Sequence, residues 1–114
     1  MSPTIILKDG RPTLVIGSPG GSRIIGYVAE AIVAHIDWGM NVQAAVSIPH
    51  AINRFGTYDL EKGTSLETMV APLKELGYKV NLQSLNSGLH GISIEENGLF
   101  GGADPRREGI ALGQ

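Results

Sequence analysis

The 114-residue sequence predicts an α/β or α+β layered fold: a mostly antiparallel sheet with packed helices. Three observations carry that expectation. Asp9-Gly10 and Asn97-Gly98 each sit between short apolar runs, a strong local signal for a β-hairpin. Ser22 to Trp38 repeats its apolar residues at helical spacing. Further strand and helix candidates fill the chain between these landmarks, with no internal repeat, linker or low-complexity tract. The length fits one domain, residues 1–114, with room for a modest core.

Thr4 to Lys8 is an isoleucine-rich strand candidate, and Thr13 to Gly17 returns antiparallel after Asp9-Gly10. Both arms are apolar on both faces, so a central, doubly covered place in a sheet is expected. In the helix from Ser22 to Trp38, Ile25, Val28, Ile32 and Ile36 form the stripe, with Ile24, Ala31 and His35 beside them. That stripe is wide for a surface helix and suggests a helix held between layers. Ser22 is the expected N-cap and Gly39 fits the C′ position. Asn41 can cap a short second helix, Val42 to Ser47, which ends before Pro49.

Residues 50–62 read poorly, apart from a strand candidate at Thr57 to Glu61 between Gly56 and Gly63. Thr64 or Ser65 caps a helix from Leu66 to Leu76, with Leu66, Met69, Val70, Leu73 and Leu76 on its apolar face. Pro72 inside it predicts a kink or a late start, and Gly77 closes it. Tyr78 to Leu82 and Leu89 to Glu95 read as strands, the second with Ile92 and Ile94 on one face. Leu99 to Ala103 pairs back after Asn97-Gly98. The tail from Ile110 to Gln114 is expected to fray.

Composition narrows the function. The formal charge is -2 and no basic stripe appears, so a nucleic-acid partner is not expected. The chain has no cysteine, which excludes disulfides, thiol catalysis and cysteine metal sites. His35, His50 and His90 lack ligand spacing, so no metal and no cofactor is expected. No apolar run approaches the roughly 20 residues of a membrane span. Met1-Ser2-Pro3-Thr4 has neither basic leader nor cleavage region, so no signal peptide is expected in this chain.

The most informative stretch is Leu14 to Arg23, LVIGSPGGSR. An apolar run ends in a glycine-rich turn and a helix follows at once. The N–H groups of Gly20 and Gly21 would lie beside the positive end of the helix dipole, a place suited to an anion or a developing oxyanion. Three readings compete: a turn that needs glycine for its own geometry, a phosphate loop, and an oxyanion hole. The patterns G-x-x-x-x-G-K-[ST] and G-x-G-x-x-G are both absent, which argues against the second. Arg23 could favour an anionic substrate, or pair on the surface with Glu30 or Asp37. Asp104, Arg106 and Arg107 look like a turn held by charge-assisted bonds.

Three blocks in order, Met1-Ser2-Pro3-Thr4, Gly17 to Ile24 and Gly102 to Arg107, resemble the small subunit of the γ-glutamyltranspeptidases (glutathione hydrolases). The similarity runs over nearly the whole chain and begins inside that subunit, so the chain looks like its C-terminal portion. The resemblance implies part of the four-layer αββα sandwich of the N-terminal-nucleophile hydrolases, with one sheet face and some edges uncovered. It implies γ-glutamyl transfer from glutathione or related amides to water or amino acceptors. In the family, the pair matching Gly20 and Gly21 forms the oxyanion hole and contacts substrate. The family's threonine nucleophile and substrate-gripping serine pair fall upstream of Met1. The isolated chain is therefore expected to be inactive, and its expected partners are the rest of the small subunit and the large subunit. Bacterial family members are commonly exported, and the compartment of this protein stays open. Two other readings stand beside this one: a self-associating interaction or scaffold module, and a fragment of a related acylase.

Overall fold

The computed structural model describes residues 2–107 and 109–112. The described residues fall into two compact units: residues 2–48 with 86–107 and 109–112, and residues 49–85. Met1, Gly113 and Gln114, named above for the first block and the tail, lie outside the described residues.

The first unit is built on a four-stranded antiparallel sheet. Its strands are β1 (Thr4–Lys8), β2 (Arg11–Gly17), β6 (His90–Glu95) and β7 (Gly98–Ala103), in the order β1-β2-β6-β7. The first hairpin closes through Asp9 and Gly10, both at positive φ (53° and 78°), the signature of a type I′ turn. Register runs from Ile5 opposite Val15, through Val15 opposite Ile92, to Ile92 opposite Gly101. These residues share one face. Leu14, Ile16 and Ser93 lie on the other.

The two faces differ sharply in burial. Leu14 and Ile16 are 1% and 3% exposed, whereas Ile5 and Ile92 are 63% and 45% exposed. This corrects the expectation that both arms of the first hairpin are central and doubly covered. β2 is central, but β1 is an edge strand, and within this chain their apolar alternation is half satisfied. The uncovered sheet face implied by the family resemblance is present. Ile92 and Ile94 do share a face, but it is the outer one.

On the inner face α2 (Val42–Ser47) packs against β6 and β7, and α1 (Ile24–Ile36) packs against α2. Asn41 caps α2 as expected: its Oδ1 accepts from Ala44 N–H at 2.8 Å. Gln43 on α2 holds the end of β7. Its Oε1 accepts from Ala103 N–H at 3.0 Å and its Nε2 donates to Ala103 O at 2.9 Å.

The start and the buried stripe of α1 both depart from expectation. A 3₁₀ turn over Gly21–Arg23 precedes the helix, its N-cap is Gly20, and Ser22 lies within it rather than capping. The 3₁₀ turn tightens the entry, which moves the cap two residues toward the glycines. The buried residues of α1 are Ile24, Tyr27, Val28, Ala31 and Ala34. Ile25 and Ile36 are 74% and 52% exposed. The helix is therefore apolar around more of its girth than this chain covers. Gly39 turns the chain at φ 70°, and Met40 N–H donates back to Ala34 O.

The second unit has a three-stranded sheet, β3 (Ala51–Arg54), β4 (Thr57–Glu61) and β5 (Lys79–Gln83), in that order. β3 pairs antiparallel with β4, and β4 pairs parallel with β5. The parallel pair needs a crossover, supplied by a 3₁₀ segment over Ser65–Met69 and α3 (Val70–Glu75). Thr64 caps this segment, accepting from Leu66 N–H at 3.2 Å. Pro72 falls in the first turn of α3, where its missing N–H leaves no intrahelical bond unmade, so the late start is the form the chain takes. None of the helical residues 65–75 is fully buried, so the expected apolar face stays largely open. The four antiparallel pairings among the described residues, with helices on one face of the first sheet, match the mixed architecture expected from sequence.

Candidate functional site: a braced glycine turn

β2 ends at Gly17, and the chain then makes the turn that feeds α1. Gly20 has φ 139° and ψ 17°, and Gly21 has φ 65°. A side chain at Gly20 would be strained twice, by that φ and by a Cβ 2.8 Å from Cε2 of the buried Tyr27 ring. Glycine is thus required here by geometry. Gly20 is half-buried and Gly21 exposed. Among the described residues, no hydrogen bond takes up the N–H of either glycine. Two adjacent donors thus stand unpaired at the positive end of a helix.

The turn is held from behind by a second loop. Ser18, 3% exposed, donates its hydroxyl to Pro19 O at 2.6 Å and accepts from Gly88 N–H at 3.1 Å. That second loop is fixed in turn by Asp104, which is 1% exposed. Asp104 Oδ2 accepts from the Ser87 hydroxyl and from Leu89 N–H at 3.1 Å. Its Oδ1 accepts from Arg106 N–H at 3.0 Å and from Arg106 Nη1 at 2.9 Å. Burial works against the ionised form of Asp104, yet the bonds from Ser87, Arg106 and Leu89 outweigh it and hold the carboxyl below the usual carboxylate range. Arg106 also donates to Val46 O and Ile48 O, and Arg107 Nη2 donates to Asn86 O.

The charge-assisted turn expected at Asp104 and Arg106 is therefore present, with Arg107 reaching a different loop. Sequence reasoning missed Ser18 and Ser87. Their partners lie 70 and 17 residues away, and no local pattern signals either contact. Arg23 ends the 3₁₀ turn, sits at the N-cap position of α1 and is half-buried. Several threonine hydroxyls are engaged with nearby backbone: Thr4 with Ser2 O, Thr13 with Ile6 O, Thr64 with Glu61 O and Thr68 with Ser65 O. His35 is half-buried and hydrogen-bonded, its Nδ1 2.8 Å from Met40 O. Among the described residues no group of three His, Asp or Glu could hold a metal ion, and no helix is long and apolar enough to cross a membrane.

A γ-glutamyltranspeptidase family model matches residues 1–114. The chain belongs to the γ-glutamyltranspeptidase family. It is 40% identical over 117 residues to a glutathione hydrolase proenzyme of Bacillus subtilis, covering 99% of this chain and 20% of that protein. It is 42% identical over 109 residues to the glutathione hydrolase proenzyme of Escherichia coli, covering 93% of this chain and 19% of that protein. The chain thus spans about a fifth of these relatives' length. A solved γ-glutamyltranspeptidase from Pseudomonas nitroreducens, complexed with L-DON, superposes with a TM-score of 0.87 at 26% identity, over 100% of this chain and 62% of that one. Solved structures that this chain resembles are N-terminal-nucleophile hydrolases.

A groove of about 930 Å³ lies on the outer face of the first sheet, lined among others by Val15, Ile92, Leu99 and the tail residues Ile110 and Leu112. Gly20 and Gly21 do not line it. The groove and the donor pair are separate features.

Proposed function

We propose that this chain is the C-terminal part of a γ-glutamyltranspeptidase-like small subunit and supplies the oxyanion hole of the assembled enzyme. The reaction is transfer of a γ-glutamyl group from glutathione or a related amide to water or an amino acceptor. A threonine outside this chain attacks the γ-carbonyl carbon, and the carbonyl oxygen becomes negative in the tetrahedral intermediate. The N–H groups of Gly20 and Gly21 donate to that oxygen. Collapse expels the amine with a proton and leaves a γ-glutamyl–threonine ester, which water or an acceptor amine then cleaves.

The observation that supports this reading is the pair of unpaired, adjacent N–H groups on a braced turn. Buried or half-buried backbone donors are almost always satisfied, so the open N–H of half-buried Gly20, with the exposed N–H of Gly21 beside it at a helix start, suits an oxygen arriving from elsewhere. Family membership supplies the chemistry. Arg23, next along the chain, is proposed as a secondary attraction for an anionic substrate.

The nucleophile lies outside the chain, so the isolated chain should release no p-nitroaniline from a γ-glutamyl p-nitroanilide. Release should begin when the complementary N-terminal part and the large subunit are added. Clear turnover by the pure chain would overturn the assignment of roles.

One observation favours a second reading, a self-associating module: the exposed apolar face carrying Ile5, Val15 and Ile92. Mass by size exclusion separates the two. A discrete dimer that complementary polypeptide does not displace favours the module; displacement favours the enzyme fragment.

A further inference from the structure

We propose that Asp104 is a positioning residue for the glycine turn, acting through Ser87 and Gly88 on Ser18 to Gly21. The proposal rests on the reading of Gly20 and Gly21 as oxyanion donors, and adds what sets their position.

The links are short and buried. Asp104 Oδ2 takes hydrogen bonds from Ser87 and from Leu89, the residues on either side of Gly88. Ser87 and Leu89 are both 0% exposed. Pinned on both sides, Gly88 has little freedom. It is also wedged: a Cβ there would come within 2.8 Å of Pro19 Cγ and 2.9 Å of Arg107 Cδ. Its N–H holds Ser18 Oγ, and Ser18 in turn holds Pro19 O. Gly20 follows directly, closed from the other side by Tyr27. From the carboxylate to Ser18 the hydrogen bonds are buried, the Ser18–Pro19 bond is part-buried, and Pro19 is joined directly to Gly20.

Such rigidity matters more for the transition state than for the ground state. An oxyanion hole works because its donors are aimed before charge develops. A turn displaced by a fraction of an ångström still admits substrate, for whose recognition Arg23 is only a secondary attraction, but meets the developing oxygen poorly. The loss should therefore fall on kcat, with KM nearly unchanged.

The test uses the assembled enzyme that carries this segment. Ser87→Ala and Asp104→Asn should each lower kcat for a γ-glutamyl p-nitroanilide about 10–100-fold, with KM within about twofold. Affinity for a boronate that forms a tetrahedral anion with the nucleophile should fall in parallel. Ser87→Thr, which keeps the hydroxyl, should restore most of the rate. Unchanged kcat in both variants, or equal losses with Ser87→Thr and Ser87→Ala, would overturn the proposal. Should Asp104→Asn fail to fold, Ser87→Ala, which deletes one hydroxyl alone, decides. Gly20→Ala separates this from the underlying reading, because its Cβ pushes the turn away from Tyr27. If Gly20→Ala leaves kcat and boronate affinity intact, the oxyanion reading itself fails. If Gly20→Ala abolishes both while Ser87→Ala and Asp104→Asn do not, the positioning role alone fails.

Discussion

The two faces of the β1-β2-β6-β7 sheet carry the same kind of residue and meet different fates. On the inner face Leu14 and Ile16 are buried, and α2 packs on the same sheet against β6 and β7. On the outer face Ile5, Val15 and Ile92 are apolar and open. Alternation in a strand records which side chains share a face; it does not record whether the covering layer is in the same polypeptide. The inner face is therefore where this chain's own stability resides, and the outer face contributes little to it.

The largest test of that contrast is a cavity on the inner face. Leu14→Ala should cost about 2–5 kcal/mol in urea denaturation, because Leu14 is 1% exposed. A cost below about 1 kcal/mol would mean the inner face is not the core. Gly20→Ala comes next, at about 1–3 kcal/mol by the same measurement, since the new Cβ would meet Tyr27 at 2.8 Å with φ at 139°. Asp104→Asn sharpens the comparison through pH. The folded carboxyl titrates below its usual range, so its stabilisation is fully present above about pH 4 and is lost as pH falls further, through the lowered folded value. The variant should lose about 1–3 kcal/mol at neutral pH, and its acid-unfolding curve should be flatter in that range than the parent's. The smallest effect belongs to the outer face: Ile92→Thr should change stability by under about 0.5 kcal/mol while reducing self-association in sedimentation. A stability loss as large as that of Leu14→Ala would erase the distinction between the faces.

The parts legible in sequence were those governed by neighbours in the chain. Asp9-Gly10 needs only its own two positive φ values, and Asn41 needs only an N–H three residues on. The glycine pair was equally visible, because a strand, a turn and a helix start are consecutive there. The buried side of α1 was harder. Ile25 and Ile36 look like core by spacing, yet this chain leaves them open. β3 was not visible at all, since Ala51-Ile52-Asn53-Arg54 carries a single large apolar residue and takes its shape from β4. The brace behind the glycines was beyond reach for a different reason: Ser18 and Gly88 are 70 residues apart, and only the folded sheet brings them together.

The clamp of Gln43 on Ala103 has a directional effect on assembly. At that end of β7 the outward N–H and C=O are already occupied by one side-chain amide, so an incoming chain finds the first rung of that border taken. The opposite border, β1, has no such stopper described along Thr4–Lys8. Lateral growth of this sheet, whether by a sister subunit or by unwanted fibril-like stacking, should therefore start at β1 and run outward from there.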